Sequence, residues 1–145
     1  MLKYQLIHPP LLGALGRCGH GSRILIADAN YPHLTGAPAA AERVYLNLAP
    51  GLLRVSTVLQ VLLDAIPVEA AIVTLNEDNQ EPPVVAEYRR MLPAGVSVQG
   101  LARFDYYEEV KSPDTCLVIA TGEQQLYANI LLVVGVITPE GMAKY

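Results

Sequence analysis

The 145 residues include no tryptophan, a single phenylalanine and only two cysteines, Cys18 and Cys116. The cysteines stand far apart without a C-x-x-C spacing, so neither a disulfide framework nor a zinc site is expected. Charge is also scarce, and the net balance is −4 at pH 7. Basic residues are scattered, with Arg89-Arg90 the only adjacent pair. That pattern argues against nucleic acid, whose phosphates select a basic patch. Long hydrophobic runs are missing as well. Gly, Pro or charge interrupts every aliphatic stretch before the roughly 18–20 residues of a membrane span, so no membrane partner is expected. The opening Met1-Leu2-Lys3-Tyr4-Gln5 lacks the apolar core of a secretory signal, which makes a cytoplasmic location the expectation.

Several motifs are absent too. No Gly-x-x-x-x-Gly-Lys-Ser/Thr loop is present to cradle phosphates. After Gly19-x-Gly21 the third position of a dinucleotide fingerprint is Ile24, and the strand follows the glycines where it should precede them. No Gly-x-Ser-x-Gly elbow offers a hydrolase nucleophile. His8, His20 and His33 show no paired metal-ligand spacing, and Cys18-x-His20 alone is too few ligands. Neither metal nor cofactor is expected.

What is present is apolar: 52% of residues are hydrophobic and 17% charged. One domain spanning 1–145 cannot bury all of that, so the surplus points to subunit contacts and a homo-oligomer. The chain centres on Gly19-His20-Gly21-Ser22-Arg23-Ile24-Leu25-Ile26-Ala27-Asp28. Ile24 to Ala27 is short, aliphatic and bounded by turn chemistry, as a strand buried on both faces would be. Further strands are expected at Val44–Leu48, Ala70–Leu75, Val96–Ala102, Thr115–Ala120 and Ile130–Ile137. Helices are expected after Pro9-Pro10, over Leu53–Leu63, from Pro82-Pro83 to Met91 and over Phe104–Lys111. Asn30 to Ala41, rich in Pro, Gly and Ala, reads as irregular. The alternation implies a single α/β domain, three-layered, with a mostly parallel central sheet flanked by helices.

His20 and Asp28 stand at opposite ends of the first strand. Imidazole is the side chain that titrates near neutrality without help, at about 6.5, so His20 is the candidate acid or base; it could equally be a loop residue between two turn glycines. Ligands of open α/β sheets collect at the carboxyl ends of strands, where Asp28 stands. Asp28 is either a turn residue, a ligand for sugar hydroxyls or an orienter of an imidazole. Tyr127 and Asn129 are turn residues or hydroxyl-reading groups, and Arg103 a solvated charge or a ligand contact. The eight tyrosines suit packing on the C–H faces of sugars.

Four separated pieces then combine. They are Gly19-His20-Gly21 with Asp28-Ala29, Val68-Glu69-Ala70-Ala71-Ile72, Arg103-Phe104-Asp105-Tyr106-Tyr107-Glu108, and Thr121-Gly122-Glu123 with Tyr127-Ala128-Asn129-Ile130. In order and spacing the set resembles the ribose pyranase/fucose mutarotase (RbsD/FucU) family over nearly the whole chain. The resemblance implies an isomerase that interconverts cyclic forms of a free monosaccharide without metal or cofactor. It also implies a ring or decamer with sites near subunit boundaries. By matching position it makes His20 the catalytic acid/base and Asp28, Arg103, Tyr127 and Asn129 substrate contacts, with Tyr107 of the aromatic Arg103–Glu108 segment a further expected contact. The Arg103–Glu108 segment is similar to the fucose branch, and Val68–Ile72 to the ribose branch. Asn30 stands where the fucose branch usually has histidine, with His33 nearby. L-fucose is the expected sugar, D-ribose or a non-catalytic sugar-binding oligomer the alternatives.

Overall fold

The computed structural model describes residues 1–139; residues 140–145, the end of the expected 1–145 domain, lie outside the described residues. In chain order the elements are α1 (Pro9–Leu15), β1 (Arg23–Ala27), β2 (Glu42–Tyr45), α2 (Val55–Leu63), β3 (Val68–Thr74), α3 (Pro83–Met91), β4 (Ser97–Leu101), α4 (Arg103–Val110), β5 (Thr115–Ala120) and β6 (Ile130–Val134). The strands form one six-stranded sheet in the order β2-β5-β1-β6-β3-β4.

Period-two alternation divides the core between the two faces of that sheet. Ile24, Ile26, Leu117, Ile119, Ala71, Val73, Ile130 and Leu132 point to one side, where residues of α1, α2 and α3 complete a large apolar cluster. Leu25, Ala27, Val118, Ile72 and Leu131 point to the other. There Tyr106 and Val110 of α4, with Tyr31, Ala37 and Ala41, cover them. Each fully buried aliphatic side chain contributes about 1.5–3 kcal/mol. The result is three layers, as the alternating pattern implied.

Parallel pairing joins β1 to β5, β2 to β5 and β3 to β4, but β6 runs antiparallel to both β1 and β3. A parallel crossover needs a dozen or more residues, and the Thr121–Asn129 connection is too short to supply one. The reversal decides what reaches the site. The start of β6 lies at the same end of the sheet as the finishing ends of the parallel strands.

Most element ends shift by one or two residues from expectation, and two strands differ by more. β2 runs over Glu42–Tyr45, earlier than the aliphatic Val44–Leu48 stretch, and Leu46 adds one more hydrogen bond to Ala120 before the chain leaves the edge. β6 stops at Val134, where the Gly135 N–H turns to the Pro67 carbonyl. The irregular segment before β2 is held by Arg43. Its guanidinium donates to the carbonyls of His33, Leu34, Ala37 and Pro38 at 3.0–3.2 Å. Among the described residues no helix is long and apolar enough to cross a membrane.

Candidate active site

A cavity of about 240 Å³ opens at the carboxyl end of the parallel strands. Asp28, Asn30 and Tyr31 reach it from the end of β1, Thr74 and Glu77 from the end of β3, and Arg103 and Tyr107 from α4. Leu126, Tyr127 and Asn129 enter from just before β6. All five expected sugar contacts, Asp28, Arg103, Tyr107, Tyr127 and Asn129, therefore line one small space. It falls below the roughly 300–1,000 Å³ of pockets for drug-sized ligands, so it suits a small polar solute.

Asp28 and Asn129 form its floor. The Asn129 amide donates to Asp28 Oδ2 at 3.0 Å, and Asn129 Oδ1 accepts from the Asp28 backbone N–H at 2.9 Å. The Asn30 N–H donates to Asp28 Oδ1 at 2.9 Å. Asp28 is only 3% exposed, and burial raises its carboxyl above the ordinary carboxylate range. Hydrogen bonds from the Asn30, Tyr31 and Ala128 backbones and from Asn129 pull the other way. Of these contacts the Asn30 and Asn129 bonds are the short ones, at 2.9 and 3.0 Å, and a carboxylate with about four acceptor positions keeps capacity for a ligand hydroxyl.

One wall is aromatic and cationic. The Arg103 Nε donates to the Tyr107 hydroxyl at 3.2 Å, and its guanidinium stacks 5.6 Å from the Tyr107 ring centre. Tyr31 meets Tyr107 edge to face at 5.4 Å. The Tyr127 hydroxyl donates to Glu77 at 3.2 Å. Tyr127 has a φ of 61°, the left-handed region that non-glycine residues seldom adopt outside constrained sites. The buried Tyr88 of α3 holds that turn by donating its hydroxyl to the Ala128 carbonyl at 2.7 Å. The Thr74 hydroxyl is buried at the cavity, beside the buried Tyr106 hydroxyl.

His20 is elsewhere. It precedes β1 and stands at the opposite end of the sheet, beyond a five-residue strand that spans roughly 16 Å at about 3.3 Å per residue. Its side chain is 61% exposed, and Nε2 lies 3.1 Å from Glu69 Oε2 on β3. Asp28 is thus not the orienter of this imidazole within one chain; Glu69 takes that position. The imidazole beside Asp28 is His33, whose Nε2 donates to the Asp28 carbonyl at 2.8 Å.

Sequence reasoning did not single out Thr74, Glu77, Tyr88 or Glu69. Thr74 and Tyr88 lay in stretches read as strand and helix, Glu77 lay between the expected elements, and Glu69 entered only as part of the Val68–Ile72 piece. Among the described residues no group of three or more His, Cys, Asp or Glu is placed to hold a metal ion.

Residues 1–137 match the RbsD / FucU transport protein family. The chain belongs to that family. It is 33% identical to the fucose mutarotase of Homo sapiens, the match covering 91% of this chain and 90% of the human one. It is 35% identical to the D-ribose pyranase of Variovorax paradoxus, covering 94% and 98%. Among solved structures it resembles Bacillus subtilis RbsD complexed with D-ribose, with a TM-score of 0.80, 28% identity and coverage of 95% and 100%. RbsD/FucU proteins thus share its fold as well as its sequence pattern.

Proposed function

We propose that this protein is a mutarotase that interconverts the ring forms of free L-fucose, with His20 of one copy serving the Asp28 cavity of another. At the level of reaction class the chain is a sugar isomerase, the class of its fucose mutarotase and ribose pyranase relatives. The observation that carries the fuller reading is a separation. One small cavity gathers five hydroxyl-reading groups, while the exposed imidazole sits a strand length away. A homo-oligomer that packs the His20 end of one copy on the cavity end of the next unites them.

Mutarotation delivers a proton to the ring oxygen while another leaves the anomeric hydroxyl. The ring opens to an aldehyde, the C1–C2 bond rotates, and the ring closes on the other face. An imidazole can serve as acid at one stage and base at the next. Glu69 fixes the ring through Nε2 and so leaves Nδ1 as the atom that moves the proton. Positioned proton transfer contributes about 10²–10⁴-fold, which suffices for a reaction that already proceeds in water. Asp28, Arg103, Tyr127 and Asn129 hold the hydroxyls meanwhile.

The Tyr31–Tyr107 pair and Leu126 supply an apolar wall that suits the methyl of a 6-deoxy sugar. That wall favours L-fucose over D-ribose, which carries no such methyl. Saturation-transfer NMR on L-fucose, D-ribose, D-galactose and L-rhamnose tests the proposal. Exchange between anomers should accelerate most for L-fucose. A larger effect on D-ribose would reassign the sugar, and binding without faster exchange would leave only a sugar-binding protein.

A further inference from the structure

Cys18 and Cys116 are 98 residues apart in sequence, yet their sulfurs lie 3.2 Å from each other. Cys18 follows α1 and stands two residues before His20; Cys116 is in β5, the strand beside β1. Both cysteines are free, half-buried and packed against the core. Neither belongs to the sugar cavity. We infer that Cys18 and Cys116 form a peroxide-reactive thiol pair that closes reversibly into an intramolecular disulfide next to the His20 loop.

The surroundings give the two sulfurs different roles. The Cys18 thiol hydrogen bonds to Cys116 and holds the Cys116 thiol below its usual range, at about 7, with the Ser22 hydroxyl adding to the effect and burial opposing it. Its hydrogen bond with Cys116, and then burial, push the Cys18 thiol up. The thiolate is the reactive form, which makes Cys116 the attacking sulfur and Cys18 the resolving one. The Cys116 thiolate attacks one oxygen of hydrogen peroxide, the O–O bond breaks, and hydroxide leaves, giving a sulfenic acid on Cys116. The Cys18 sulfur, losing its proton to that hydroxide, then attacks the sulfenic sulfur. An S–S bond forms and the S–O bond breaks, releasing a second hydroxide, which takes up the proton freed when Cys116 ionised. Two thiols and one peroxide become one disulfide and two waters. The sulfurs need to approach by only about 1.2 Å to reach the roughly 2.05 Å of an S–S bond.

The test uses the full chain, reduced, freed of reductant and titrated with hydrogen peroxide. Both thiols should disappear together, the protein mass should fall by two hydrogens, and peptide mapping should recover Cys18 joined to Cys116. Dithiothreitol should restore both thiols. The rate of thiol loss should climb with pH and level off above about 7, well before the about 8.5 of a free cysteine. In Cys18→Ser the resolving sulfur is gone, so a sulfenic acid on Cys116 should persist and be captured by dimedone. Recovery of sulfinic or sulfonic acids, or of disulfides only between chains, without the joined peptide would overturn the inference. None of these readouts depends on which sugar the protein binds.

Discussion

A His20→Ala protein is expected to fold and assemble as the parent does while losing about 10²–10⁴-fold of its anomer-exchange rate. The structural cost is small because the side chain is 61% exposed and its ion-pair partner Glu69 is itself 45% exposed. Exposed ion pairs of this kind are worth about 0–1 kcal/mol. The chemical cost is large because the other imidazole at the sugar end, His33, has Nε2 committed to the Asp28 carbonyl. Thermal unfolding and light scattering should give parental values, while saturation-transfer NMR shows only the uncatalysed exchange. Parental exchange in this variant would remove His20 from the mechanism.

Asn129→Ala should do the opposite and damage site and scaffold together. It strips one hydrogen bond from a buried carboxylate and one acceptor from the Asp28 N–H. Leaving the Asp28 N–H and Oδ2 without these partners costs about 1–3 kcal/mol for each, measured as the loss in denaturant unfolding. Exchange should slow by roughly 10²-fold as the carboxylate loses its fixed position. The pH profile supplies a further sign. Burial raises the Asp28 carboxyl, and the Asn129 bond is one of the contacts that lower it. Without that bond the group holds its proton to higher pH, so activity that needs the carboxylate should fail at a higher pH on acidification. An acid limb that stays in place or moves down would show that Asp28 is not the titrating contact.

Much of this arrangement was legible in the residues. β1, β5 and β6 are short aliphatic runs because both of their faces are covered, and such runs announce themselves. Pro9 and Pro83 mark the starts of α1 and α3, and Asp28 stood where a strand-end ligand should stand. β2 was harder, because Glu42 and Arg43 hide an edge strand whose arginine holds the preceding loop instead of packing in the core. The direction of β6 was not read either, although the short Thr121–Asn129 connection carried the signal. That reversal is what sets Tyr127 and Asn129 beside Asp28. The nearness of Cys18 and Cys116 left no trace in spacing, since it arises from β5 lying next to β1. The opposite placement of His20 and Asp28 was readable from one strand, but a second copy to reunite them is not encoded in any local pattern.

Mixed assemblies test that reunion most directly. His20→Ala keeps an intact cavity and Arg103→Ala an intact imidazole, so each homo-oligomer should be nearly inactive. Co-expressed with different affinity tags and purified through both, random assembly should pair a good imidazole with a good cavity in about one site in four. The account predicts that L-fucose exchange returns to roughly a quarter of the parental rate in the doubly tagged oligomers. Doubly tagged oligomers as inactive as the two single variants would contradict it.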